Sequence, residues 1–96
     1  MKINQQESKW KPYGSGEHGR LTTAQKNALP DSAFAFPRSR KEPMTDAIHV
    51  EEAIARFNQV ADVTSLERDI AFANIQKAAK HFGVKMKATK RRQLTA

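Results

Sequence analysis

The chain has 96 residues, 17 Lys and Arg against 10 Asp and Glu, a net charge of +7 and no cysteine. This length allows one small domain that buries only about 60% of its unfolded surface, which excludes a multi-part catalytic machine. Without cysteine there is no disulfide, zinc–thiolate site, iron–sulfur cluster or thiol nucleophile, so any metal would rest on three histidines and ordinary carboxylates.

The charge is unevenly spread. Residues 1–30 carry +3, residues 31–83 carry −1, and residues 84–96 carry +5 with no acid at all. Nearly all the Ile, Val and Phe lie in the neutral middle. The start, MKINQQESKWK, is polar where a signal peptide needs an apolar stretch, and no apolar run approaches membrane-spanning length. A soluble, cytoplasmic protein without a membrane partner is the expectation.

Residues 1–20 combine Gln, Ser, Lys and three of the four glycines with only Ile3, Trp10 and Tyr13 as sizeable apolar groups. Such a composition predicts a flexible arm, since burial there does not offset ordering entropy. The single small domain is expected over 21–84. Thr22 or Thr23 caps a short helix through Ala28, and Pro30 stops it. Phe34 and Phe36 alternate with alanine before Pro37, which suits a short extended segment near 33–36 with both rings on one face.

Two stronger helices follow, at about 46–60 and 65–82. Asp46 is the N-cap of the first, and Val50, Ala53, Ile54, Phe57 and Ala61 form its apolar stripe. Thr64 and Glu67 form a capping box for the second. Its stripe is Ala71, Phe72, Ile75, Ala78, Ala79 and Phe82, with Leu66, Ile70 and Ala73 as a second patch. Lys80 and His81 suit its negative end, and Gly83 terminates it. The fold class is therefore mainly α, an antiparallel helix hairpin with the extended segment over its seam. A basic tail at 85–96 completes the chain.

Several candidate sites compete with plainer roles. Gly14 to Gly19 spells GxGxxG, but the preceding KWKPY is no buried strand and a doubly wound sheet has no room, so a glycine loop explains it. His18, His49 and His81 lack metal-ligand spacing, and no metal or cofactor is expected. His49 beside Asp46 is expected to pack and bond the preceding loop; its rival is a triad of Ser32, His49 and Asp46, for which no nucleophile elbow exists. Arg38, Arg40 and Lys41 either pair with Asp31, Glu42 and Asp46 or contact a phosphate. Trp10 and Tyr13 among Lys9 and Lys11 either stack bases or dock an aromatic ring on the helical core. Lys85, Lys87, Lys90, Arg91 and Arg92 form an unopposed basic run.

Leu29 to Pro37, Arg40 to Pro43, then Asp46, His49, Val50, Ala53 and Ala55 to Phe57, and Ile75 to Val84 together resemble a small domain of unknown function, DUF6582. Members of that family occur as free-standing bacterial proteins and as segments of phage head-associated proteins. The WKPYGSGEHGR opening resembles the free-standing ones. The resemblance implies no reaction. It implies that Phe34, Phe36, Arg40, Pro43, Asp46, His49 and Arg56 belong to a fold signature, which favours a structural His49.

The expected function is a non-enzymatic interaction module that binds nucleic acid, or an acidic protein, through its basic flanks. The alternative is a protein-binding accessory of a phage-type assembly or bacterial complex, using Phe72 or the Leu66 and Ile70 patch. Five tail cations on duplex DNA would give a log–log salt slope of roughly −4 to −5 with little sequence preference.

Overall fold

A computed structural model describes residues 8–13 and 21–87 of the chain. Thr22, not Thr23, caps α1 (Thr23–Ala28): its hydroxyl accepts from the Gln25 amide while the Gln25 side chain accepts from the Thr22 amide. Leu29 and Pro30 end the helix, and a single 3-10 turn at Asp31–Ala33 leads into β1 (Phe34–Phe36). β1 pairs antiparallel with β2 (Lys41–Pro43), Phe34 opposite Pro43 and Phe36 opposite Lys41.

Lys41-Glu42-Pro43 carries no strand signal in the sequence. It pairs because the chain reverses tightly over 37–40, with the Arg40 amide donating to the Pro37 carbonyl at 3.3 Å. Arg40 and Glu42 both take positive φ, 54° and 59°, a conformation that L-residues with long side chains rarely adopt. Arg40 is held there by its guanidinium, which donates to the carbonyls of Lys26 at 3.0 Å and Leu29 at 2.9 Å, pairs with Asp31 at 2.6 Å and lies 4.6 Å over the Phe34 ring. It thereby donates to the carbonyls that cluster at the end of α1, that of Lys26 being shared with the Leu29 amide.

α2 (Ala47–Arg56) starts at Asp46, whose carboxylate accepts from the His49 amide at 2.8 Å. The helix is shorter than the apolar spacing predicts. Phe57–Gln59 tightens into a 3-10 turn and leaves Ala61 exposed. Arg68 fixes that turn by donating to the carbonyls of Phe57 and Val60, both at 2.9 Å. α3 (Ser65–Phe82) has the predicted capping box at Thr64 and Glu67. It ends at Gly83, where φ of +72° suits a residue without a Cβ, and the Val84 amide returns to the Ala79 carbonyl at 2.8 Å.

The architecture is mainly α with a two-stranded antiparallel sheet, and it departs from the expected plain helix hairpin. α3 packs on β1 as well as on α2, and β2 packs on α2, so the strands share the core with the helices. The reason is the burial of Phe34, Ala35 and Phe36 on both faces, which a segment merely laid over a seam would not achieve. Phe36 joins the main core, 6.0 Å from Phe57 in tilted contact, whereas Phe34 packs with Leu29 and Ala33 in a smaller cluster. Val50, Ala53, Phe57, Ala71, Ile75 and Ala78 are fully enclosed; Ile54 and Phe82 border the core and are only partly covered. No helix among the described residues is long and apolar enough to cross a membrane.

Residues 8–13 of the N-terminal arm lie against this core, the docked alternative for its aromatic residues. Trp10 is 1% exposed and meets His81 and Phe82 edge-on, with ring centroids 5.7 and 5.8 Å away. Ser8 donates to Asn74 at 2.7 Å, and the Lys11 amide donates to the Ser32 carbonyl at 3.2 Å.

Candidate functional site

Docking of Trp10 determines where the charges of the two flanks meet. Lys9 and Lys11 stand on either side of a ring buried against the last turn of α3. Beyond Gly83, Val84 and Met86 pack partly on the core while Lys85 and Lys87 between and after them are exposed. α3 itself exposes Gln76, Lys77, Lys80 and His81. No Asp or Glu occurs in residues 8–13 or 70–87. None of Lys9, Lys11, Lys77, Lys80, Lys85 and Lys87 has a carboxylate partner among the described residues. The end of α3 and the two stretches beside it are thus rich in cations, a basic pole. Asp31 lines a concavity together with Lys9, and the other acids of the described residues lie on β2, on α2 and its flanking turns, and on the first turns of α3.

Of the two readings of the N-terminal aromatic residues, docking describes Trp10, whose ring is closed to a stacking base. Its Nε1 is a buried donor without an acceptor among the described residues. Tyr13 is 45% exposed. Lys90, Arg91 and Arg92 lie outside the described residues, as do His18 and the Gly14 to Gly19 pattern.

The arginines of the 37–40 reversal serve the fold. Arg38 forms a two-point contact with Glu67, through Nε and, at 3.1 Å, through Nη2, which ties the strand connection to the N-terminus of α3. The Arg38 hydrogen bond, helped by the Thr64 amide, lowers the Glu67 carboxyl to about 2, and Glu67 in turn raises Arg38 above its ordinary value. Sequence proximity pointed Arg38 toward Asp31, Glu42 and Asp46. Its partner is 29 positions away, a pairing that only the packing of α3 on β1 creates.

Asp46 is 3% exposed and bonds His49 twice, through the backbone amide and through Nδ1 at 2.7 Å. His49 lines a concavity of about 360 Å3 with Lys26, Glu42, Glu52 and Arg56. Burial raises the Glu42 carboxyl, nearby Glu52 adds to the rise, and Arg56 opposes it. Arg56 approaches Glu52 at 3.8 Å on the helix surface. Ser32 lines a different concavity, beside Trp10 and Asn74, so the Ser32, His49 and Asp46 triad is not brought together. No group of three or more His, Asp or Glu among the described residues is arranged to hold a metal ion. Phe72 is buried, whereas Leu66 is 54% exposed and Ile70 borders a concavity with Phe36 and Pro37.

Sequence reasoning missed Asn74 and Arg68 and gave Arg38 other partners. Asn74 accepts from Ser8 and donates to the Ala35 carbonyl, Arg68 secures the turn before α3, and Arg38 secures its first turn. A lone Asn inside an otherwise apolar helical stripe was the available signal for the first.

No curated protein and no solved structure matches this chain. A model for a family of unknown function, DUF6582, matches residues 13–89, which takes in the sheet, all three described helices, Lys85 and Lys87 but leaves out Lys9, Trp10, Lys11 and the last three tail cations. With most of the sequence inside that match, the chain belongs to the DUF6582 family.

Proposed function

We propose that the protein is a non-enzymatic cytoplasmic module that binds nucleic acid electrostatically, through the phosphate backbone, at the basic pole. The observation that carries this reading is the docking of Trp10 on His81 and Phe82, which unites cations that the sequence keeps more than 60 positions apart. A polyanion spanning Lys9, Lys11, Lys80, Lys85 and Lys87 gains from several unpaired cations at once and releases counterions as it binds. A small molecule would engage only one or two.

The test is binding of short duplex and single-stranded DNA to the full-length chain across a salt series. Replacement of Lys9, Lys11, Lys85 and Lys87 by Gln is expected to weaken binding and to flatten the duplex salt slope by about 3 to 4, roughly 0.9 for each phosphate no longer neutralised. Trp10→Ala is expected to act in the same direction with the lysines intact. Failure of the wild-type chain to bind any nucleic acid at low salt defeats the reading. An unchanged slope in the Gln variant transfers the binding to Lys90, Arg91 and Arg92.

A second reading, a protein-docking accessory, is favoured by Leu66, which remains 54% exposed one turn before Ile70 on α3. Leu66→Asp would then abolish concentration-dependent association, measured by sedimentation, without affecting DNA binding.

A further inference from the structure

We propose that the C-terminal half of α3 enters the major groove of duplex DNA, an inference that rests on the basic-pole reading and adds which element meets the bases. Gln76 and Lys80 are one helical turn apart, with Lys77 beside them, and all three are exposed and form no side-chain hydrogen bond among the described residues. Glutamine can bond the N6 and N7 edge of adenine, and lysine the O6 and N7 edge of guanine. The major groove, about 12 Å wide, admits an α-helix.

Further cations accompany this face. Lys9 and Lys11 belong to the segment that Trp10 docks along α3, Lys9 lying beside Ile70 and Asn74, and Lys85 and Lys87 follow Gly83, so positive charge on two separate stretches is available to the phosphates. The carbonyl end of the helix is itself slightly negative, and Lys80 and Lys85 sit there to offset it. An acidic protein surface would match the charge equally well but gives the uncharged Gln76 no role.

The test uses the full-length chain with duplex DNA, duplex RNA of the same sequence, and DNA in which 7-deazaadenine replaces adenine. A-form RNA has a deep, narrow major groove that side chains cannot read. The DNA duplex is expected to bind about tenfold or more tighter than the RNA duplex. Gln76→Ala is expected to lower affinity for adenine-containing DNA about fivefold or more with an unchanged salt slope, because glutamine carries no charge. The deaza substitution should reproduce that loss in the wild-type chain and add nothing in Gln76→Ala. Equal binding of DNA and RNA, insensitive to Gln76→Ala, overturns the groove assignment and leaves the pole standing. Absence of binding to every nucleic acid, or a preference for polyglutamate over DNA, overturns both.

Discussion

Asn74 Nδ2 donates to the carbonyl of Ala35 at 2.8 Å, across 39 positions of sequence, from within a side chain that is 3% exposed. The same amide accepts from Ser8, so one residue of α3 holds both the inner strand and the segment that carries Trp10. The Ala35 carbonyl lies in the dry interior, where leaving it unpaired would be costly. The polar residue in the apolar stripe therefore completes the backbone pairing of the sheet.

Asn74→Ala leaves the Ala35 carbonyl buried without a donor and removes the acceptor of Ser8. A loss of about 1–3 kcal/mol is expected in urea denaturation. Trp10 is the only tryptophan in the chain, so its emission should shift to longer wavelength in the variant as the 8–13 segment loosens. Unchanged emission with full loss of stability would confine the role of Asn74 to the strand.

Phe57 and Ile75 are fully enclosed where α2, α3 and β1 converge. Phe57→Ala is expected to cost about 3–5 kcal/mol and Ile75→Ala about 2–5 kcal/mol, from forfeited transfer energy and the cavity left behind. Either is a large share of the stability of a domain this small. Chemical denaturation monitored by circular dichroism measures both.

Acid should weaken the pairing of Arg38 with Glu67 in a defined window. Glu67 titrates near 2 in the folded chain against an ordinary 4.5, so its contribution is fully present above about 4.5 and is lost as pH falls through about 2. Glu67→Gln should remove that part of the acid dependence. Glu42 acts with the opposite sign: its raised carboxyl favours the folded state most at low pH, and the advantage fades as pH rises through the folded value. Glu42→Gln should therefore improve relative stability toward neutral pH. Melting temperatures across pH 2 to 7 on about unit steps separate the two.

His49→Gln is expected to lower the melting temperature, since the buried Asp46 carboxylate then has no imidazole Nδ1 beside it. Nucleic-acid binding by the folded variant should match wild type, because His49 lies on the concavity lined by Glu42 and Glu52, apart from the pole. A folded variant with impaired binding would contradict this assignment and draw the His49 concavity into function.

Local chemistry was enough to read the starts of α2 and α3 and the end of α3, though not the end of α2. The Thr64 and Glu67 capping box, the Asp46 cap and the Gly83 terminus each depend on residues within a few positions, and the apolar spacing of α3 identified its buried face. Composition likewise revealed the basic flanks and the neutral middle. What lay beyond the sequence was every feature made by residues distant along the chain. β2 has no strand-forming composition and exists because Arg40 caps α1 from a left-handed position. Arg38 reaches Glu67, and Asn74 reaches Ala35, only because α3 packs on β1. Trp10 could equally have stacked on a ligand or packed inward; the apolar surface offered by the end of α3 decided it, because burying a large ring outweighs ordering the short segment that carries it. Sequence alone thus determined how much positive charge the protein has, and tertiary packing decided that Trp10 brings Lys9 and Lys11 onto the same helix that carries Lys77 and Lys80.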